Sequence, residues 1–296
     1  MSENNGAIET GFNGKILVVD LSNGSISVEN VAENLYREYL GGYGLGARFL
    51  WDRVPAGIDP LAPENMLGLL PGLLTGTPLF GQRWQAVCKS PLTGGWGDAN
   101  CGGDFGGVLK LAGWDGVLFF GKSENPTYLL VEGEKVELRD ASDLWGTGAI
   151  ESEVELKARH GKRASVANIG QAGETLSLIS GICNDHGRLA ARSGVGAVMG
   201  SKNLKAIVVR GKQKPSVANP DAFKILQKLG PKTMKPTGMD EFGKYGTPGV
   251  CSSWQLYDTN QLIETLNAVT GWDTDMQEIL EVGERRVNMM RAFNAR

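Results

Sequence analysis

β-Branched and other apolar residues crowd two short runs near the start of the chain, residues 15–21 (KILVVDL) and 25–31 (SISVENV). Ser22-Asn23-Gly24 separates them, and strand–turn–strand in this spacing predicts a hairpin. Residues 32–40 read as a helix, and residues 45–54 repeat apolar side chains at helical spacing. Gly41-Gly42-Tyr43-Gly44-Leu45-Gly46 lies between them. Further β-like runs follow at 84–89, 116–121, 127–138, 164–169 and 206–209, with a surface helix expected over 150–159. Short strands with few long helices between them predict an α+β fold built on sheets. The polar, proline-bearing stretch 211–220 reads as a boundary. Asp221 then caps a short helix ending near Gly230, and residues 231–249 read as loop. From Asn260 onward the pattern is helical; Ile279, Gly283, Val287, Met290 and Phe293 fall on one face, with Glu284, Arg285 and Arg291 elsewhere. No internal repeat emerges.

Composition narrows the class. The 296 residues are 41% hydrophobic and 21% charged, which supports a real core in a globular chain. Thirty Lys and Arg against 33 Asp and Glu leave a net charge of −3, which argues against nucleic acid or an anionic membrane as partner. MSENNGAIET has no basic flank followed by an apolar run, so no signal peptide is expected. The most apolar stretch, residues 66–74, is too short to span a bilayer and contains Pro71. Cys88, Cys101, Cys183 and Cys251 stand far apart without a CxxC motif, which predicts reduced thiols in the cytoplasm. Spacing alone leaves a long-range disulfide open. The 42 glycines follow no repeat, so they must serve turns, close approaches or a ligand-cradling backbone.

Four glycine-rich segments carry candidate chemistry. Gly42-x-Gly44-x-x-Ala47 matches the dinucleotide fingerprint in form, but a helix rather than a strand precedes it; a helix–turn–helix joint is the better reading. Thr75-Gly76-Thr77-Pro78, followed by Gly81-Gln82-Arg83, reads either as a plain turn or as a phosphate clamp, since guanidinium donates in a fork and small neighbours allow approach. In residues 89–107 the glycines argue against a core strand. Exposed amides with Asp98 and Asn100 suit a phosphate and its bound cation, while Cys101 is either a buried thiol or a metal ligand. Asn184-Asp185-His186-Gly187-Arg188 and Arg192-Ser193-Gly194-Val195-Gly196 form either a solvated loop or a second phosphate-facing loop. Gly200-Ser201-Lys202 lacks the spacing of a nucleotide-hydrolysing loop. His160 is expected in a surface turn, and two histidines support neither a zinc site nor a serine triad.

The segments LGGYGLGARFL, PLAPENMLGLLPGLLTGTP, CKSPLTGGWGDANCGGDFGGVLKLAGWDG and IGQAGETLSLISGICNDHGRLAARSGVGAVMGSKNLKAIVVRG, in that order, resemble the N-terminal domain of the aldehyde ferredoxin oxidoreductases, over about residues 11–212. The resemblance implies a sheet-built saddle carrying a tungsten or molybdenum bis-pyranopterin, with a short helical C-terminal segment behind it. It implies that Arg83 lies at the pterin phosphate and that Asn100 helps hold the Mg²⁺ bridging two such phosphates. Gly102 is implied as a backbone contact, with Arg188 and Leu189 at the phosphates and Leu189 acting on Mg²⁺ through its carbonyl. An aldehyde substrate, ferredoxin as electron acceptor and a [4Fe–4S] cluster follow from the same resemblance. A related branch reduces aromatic-ring thioesters.

After Lys244–Thr247, which resembles the family's KYGT, the pattern departs. No CxxCxxxC occurs, and Gly249-Val250-Cys251 resembles the end of the family's DxxGLC motif with Gly246 where aspartate belongs. Cys251 is thus a single iron–sulfur ligand by resemblance, and residues 266–296 resemble helices near the family's C-terminus. The pattern predicts a pterin-binding domain over 1–212, a linker with a short helix over 213–250, and a helical remnant over 251–296, joined by an internal deletion. A non-catalytic pterin-binding remnant or assembly component is the rival expectation. An uncovered saddle would favour self-association, with the residual helices docking on the saddle or pairing with another copy.

Overall fold

The computed structural model describes residues 11–77, 83–213, 217–233 and 259–296, without the side chains of 229–233 and 259. The first sheet contains β1 (Lys15–Asp20), β2 (Ser25–Asn30), β3 (Leu67–Pro71), β4 (Trp84–Lys89), β5 (Trp96–Cys101) and β6 (Val117–Phe120), in the order β2-β1-β6-β3-β4-β5. The second contains β7 (Thr127–Glu132), β8 (Lys135–Asp140), β9 (Ser165–Asn168), β10 (Ile182–Asn184), β11 (Arg188–Ala190) and β12 (Leu204–Arg210), in the order β11-β10-β9-β12-β7-β8. Each sheet has one parallel pair, β1 with β6 and β7 with β12. The architecture is α+β, as the short strands predict.

Successive residues on the central strands point to opposite faces, and both faces are buried. Leu17, Leu69, Ala86 and Val117 of the first sheet meet Leu129, Ile207 and Val209 of the second in one shared core. Two helices fill its ends: α3 (Phe105–Leu111) through Phe105 and Leu109, and α6 (Val195–Ser201) through Val198 and Met199. The outer face of the first sheet, with Ile16, Leu70, Val87 and Leu118, is covered by α1 (Glu33–Tyr39) and α2 (Gly42–Arg53). The outer face of the second packs on Leu156 of α4 (Ala149–His160). A one-turn helix, α5 (Gln171–Glu174), lies against α6.

Three C-terminal helices complete the described chain: α7 (Pro220–Thr233), α8 (Thr259–Thr270) and α9 (Met276–Ala295). Phe223 and Leu226 of α7 pack on Ala268 and Val269 of α8. Asp275 caps α9 by accepting the Glu278 N–H at 2.9 Å, and Glu278 in turn takes Arg37 Nε of α1 at 2.5 Å. Phe293 meets Trp96 edge-on at 6.5 Å, and Asn294 Oδ1 accepts the Trp96 N–H at 2.5 Å. The C-terminal helix α9 therefore docks on the first sheet and its helices.

Four expectations need correction. Residues 96–101 do form a strand despite Gly97 and the glycines that flank the run, because β5 lies at a sheet edge. Its inward residues are the small Gly97, Ala99 and Cys101, and a Cβ on Gly97 would stand 2.8 Å from that of Ser90. Residues 127–138 hold a strand, a turn at Gly133 and the start of a second strand. On α9 Ile279, Gly283, Met290 and Phe293 are buried or partly buried as predicted, joined by Val282 and Met289, but Val287 is half exposed. His160 is buried at the end of α4, with its ring Nε2 3.0 Å from the Tyr128 hydroxyl, and burial lowers its pKa.

Candidate functional site

The site is built where the free edge of each sheet turns toward the other. β5 ends the first sheet and β11 ends the second. Two hydroxyls tie them together: Ser193 Oγ donates to the Asp98 carbonyl at 2.9 Å, and Ser90 Oγ donates to the Ser193 carbonyl at 3.0 Å.

Strand alternation decides which side chains of β5 face the cleft. Trp96, Asp98 and Asn100 point outward, with Asn100 exposed. Arg83 immediately precedes β4, whose Gln85 pairs with Asn100, so Arg83 reaches along the sheet edge. Its Nη1 donates to Asn100 Oδ1 at 2.6 Å. The turn over residues 72–77 is tied to Arg83 by Thr75, whose hydroxyl accepts the Gly72 N–H at 3.0 Å and donates to the Arg83 carbonyl at 2.5 Å. Lys110 Nζ holds the same loop through the Leu73 carbonyl at 2.7 Å; burial lowers this lysine's pKa, with Asp115 opposing. Gly42 opens α2 directly after α1 and the left-handed Leu40, so the dinucleotide reading lacks its strand, as expected.

The β10–β11 hairpin brings the second half. Asn184 pairs with Arg188 and Cys183 with Leu189. Gly102, just past β5, lies at the meeting point: a Cβ there would be 3.7 Å from Arg188 Nη1 and 4.0 Å from Arg83 Cζ. Four of the five expected cofactor residues, Arg83, Asn100, Gly102 and Arg188, thus converge from two sheets. Leu189 sits next to them on β11 with its side chain half exposed. Arg83 has no carboxylate partner among the described residues, and Arg188 has Asp185 Oδ2 at 3.1 Å from its Nε.

Cys101 lies beneath this cluster and is buried. Burial pushes its thiol up to about 11, against the Asn184 hydrogen bond and the charges of Arg83 and Arg188. Asn184 Nδ2 donates to Cys101 Sγ at 3.4 Å, while its buried Oδ1 has no partner. Cys101 is therefore a packed, protonated thiol. Burial likewise raises the pKa of Asp98, opposed by the Trp96 indole N–H and by Arg286 and Arg192. Cys88, Cys101 and Cys183 are free thiols, and no three His, Cys, Asp or Glu side chains gather as a metal-holding group among the described residues. Cys251 and Gly246 lie outside them. No helix among the described residues is long and apolar enough to cross a membrane.

One contributor escaped sequence reading. Glu153 is fully buried, and its Oε2 accepts the backbone N–H of His186 in the β10–β11 turn at 2.9 Å. A charged residue at helical spacing with the buried Leu156 and His160 was the available signal.

Residues 16–211 match the profile of the aldehyde ferredoxin oxidoreductase N-terminal domain, and residues 237–296 match domains 2 and 3 of the same proteins. The chain belongs to the aldehyde ferredoxin oxidoreductase family. It is 42% identical over 265 residues to the tungsten-containing aldehyde ferredoxin oxidoreductase of Pyrococcus abyssi, a match covering 88% of this chain and 43% of that protein. It is 34% identical over 253 residues to the WOR-like subunit of an aliphatic sulfonate oxidoreductase from Pyrococcus furiosus, covering 80% of this chain and 40% of the relative. The active-site complex BamBC of benzoyl coenzyme A reductase superposes with a TM-score of 0.74 at 39% identity, over 81% of this chain and 36% of that one. The chain spans less than half the length of the curated relatives it matches.

Proposed function

We propose that this chain holds a tungsten or molybdenum bis-pyranopterin by its phosphates and serves the oxidation of aldehydes to carboxylic acids, with ferredoxin as electron acceptor. The observation that supports this reading best is the convergence of two guanidinia on Gly102, where a Cβ would stand 3.7 Å from Arg188 Nη1 and 4.0 Å from Arg83 Cζ. The donor set fits the group: forked cations for phosphate, a neutral amide oxygen for a hard cation, and a glycine that leaves the space between them.

Arg83 would take one phosphate and Arg188 would close on it from the second sheet. Asn100 Oδ1, oriented by Arg83, would face Mg²⁺ together with the Leu189 carbonyl. When bound, the metal–dithiolene supplies two-electron redox chemistry, while the protein supplies binding and electrostatics. Thr75 and Lys110 fix the loop that presents Arg83. Cys101 is buried beneath the cradle and takes a hydrogen bond from Asn184. Cys251 is proposed as one iron–sulfur ligand; a cluster needs four such thiolates, and the sequence lacks a CxxCxxxC.

That missing motif favours a second reading, a pterin-binding chain without catalysis of its own. A third, reduction of an aromatic-ring thioester, draws support from the likeness to the benzoyl coenzyme A reductase complex. Metal and pterin content of the chain purified anaerobically from a tungstate- and molybdate-fed host tests the common core of all three. Near-stoichiometric pterin is expected in the wild type and a marked loss in Arg83→Ala and Asn100→Ala. Equal retention in all three proteins would return these loops to a purely structural role. Iron analysis and an aldehyde-dependent viologen assay then separate enzyme from binding chain.

A further inference from the structure

The turn that carries Arg188 is held from beneath by a carboxylate sealed from solvent. Asp185, His186 and Gly187 follow one another with φ of 45°, 57° and 122°, a left-handed run that the two residues with a Cβ do not favour. Its apex is fixed from α4, where Glu153 Oε2 accepts the His186 N–H at 2.9 Å. Glu153 is fully buried, and Lys157, one helical turn on, approaches its Oε1 at 2.7 Å. The base of the turn is fixed from the first sheet through Asn184 and Cys101, and the Gly187 N–H closes on the Asn184 carbonyl at 3.2 Å.

An exposed turn needs no such foundation, because water would satisfy the His186 N–H. A buried carboxylate is costly to keep unless it is paired and hydrogen-bonded. Here Lys157 supplies the opposite charge and the His186 N–H a hydrogen bond to Oε2, while Oε1 accepts no hydrogen bond; what the carboxylate secures is an otherwise solvent-facing segment whose next residue is Arg188, 61% exposed at its side chain. We propose that Glu153 is a positioning residue for the anion cradle. It never touches the ligand; it sets the turn so that the Arg188 guanidinium stands opposite Arg83 across Gly102. This rests on reading the cradle as a phosphate site.

Inorganic pyrophosphate with Mg²⁺, titrated calorimetrically into the full chain, is the probe. Glu153→Ala is expected to weaken binding about tenfold with an unchanged far-ultraviolet circular dichroism spectrum. Glu153→Gln, which keeps an oxygen for the His186 N–H, should recover most of the loss. A double-mutant cycle separates positioning from general weakening. In an Arg188→Ala background, Glu153→Ala should add no further loss, whereas additive losses would overturn the proposal. Wild-type affinity in Glu153→Ala, with binding lost in Arg83→Ala, would leave the cradle standing and refute the role of Glu153. Equal binding by the wild type and Arg83→Ala would refute the phosphate reading and this inference with it. Should Glu153→Ala not fold, Lys157→Met replaces it in the same cycle, with a several-fold loss expected and wild-type affinity overturning the proposal.

Discussion

Gly103 and Asn184 come together so closely that a Cβ on the glycine would overlap the asparagine Oδ1. Gly103 also has φ of +87°, where an L-residue is strained in any surroundings. Gly24, at the tip of the β1–β2 hairpin, has φ of +72° and nothing within 4 Å of a Cβ. Gly24→Ala is therefore expected to cost about 1 kcal/mol, and Gly103→Ala at least twice that, roughly 2–4 kcal/mol, since strain and overlap add there. Urea denaturation of both variants decides it. Equal costs would mean that Asn184 moves aside freely and that the junction of the sheets is not tightly built.

Thr75 gives a second contrast. Thr75→Val keeps the shape but strips the hydroxyl that joins the Gly72 N–H to the Arg83 carbonyl. Leaving buried polar groups unpaired costs about 1–3 kcal/mol. Thr75→Val should lose stability on that scale and release bound pterin more readily, while Thr75→Ser retains both. Wild-type behaviour of Thr75→Val in thermal melts and cofactor retention would show that the loop presents Arg83 without this hydroxyl.

The pH dependence of stability should carry the signature of Lys202. This side chain is fully buried, donates to the Pro63 and Gly121 carbonyls at 3.0 and 3.1 Å, and has its pKa lowered by burial to about 8 from 10.5, against the opposing pull of Cys88, Glu64 and Asp20. Between these values the unfolded chain binds more protons at this group than the folded chain. Its contribution to stability therefore rises with pH from about 8. Cys88, raised by burial to about 12 from 9.0, acts in the opposite sense above pH 9. The clean window is thus pH 8 to 9, where wild type minus Lys202→Met should show a positive slope. A flat difference curve would mean that Lys202 keeps an ordinary pKa.

Phe293 tests the docking of α9. It is 8% exposed and packs against Trp96 of β5. Phe293→Ala should cost about 3 kcal/mol or more and uncover apolar surface on the first sheet. Light scattering should then report more self-association than in the wild type. An unchanged melting curve and unchanged scattering would show that α9 contributes nothing to the closed face.

How much of this was legible depended on which faces a strand buries. The β1–β2 hairpin announced itself through a turn and an exposed outer strand. β3, LGLLP, is buried on both sides, so its sequence shows an apolar run without period and no strand was read there. β5 was hidden by Gly97 and the glycines flanking it, although Gly97 serves close approach to Ser90 and not flexibility. Arg83, Asn100, Gly102 and Arg188 were each marked by glycine-rich motifs. What no motif shows is the register that sets Gln85 beside Asn100, or the fold that sets β11 beside β5. Glu153 was marked only by its helical spacing with Leu156 and His160, and its partner was not legible at all: it acts through a backbone N–H, which leaves no residue type to recognise.

Of the four outer sheet edges, two are β2 and β8, which carry Glu29 and Asn30, and Lys135, Glu137, Arg139 and Asp140. Charged outer strands resist pairing with another chain. The other two edges, β5 and β11, carry one charge each, Asp98 and Arg188, and shelter one another, the Asp98 carbonyl being taken by Ser193. The cradle thereby doubles as the protein's protection against edge-to-edge polymerisation. A substitution that pries β11 from β5 would expose two sticky strands at once, and the first symptom of a broken binding site would be a precipitate in the tube.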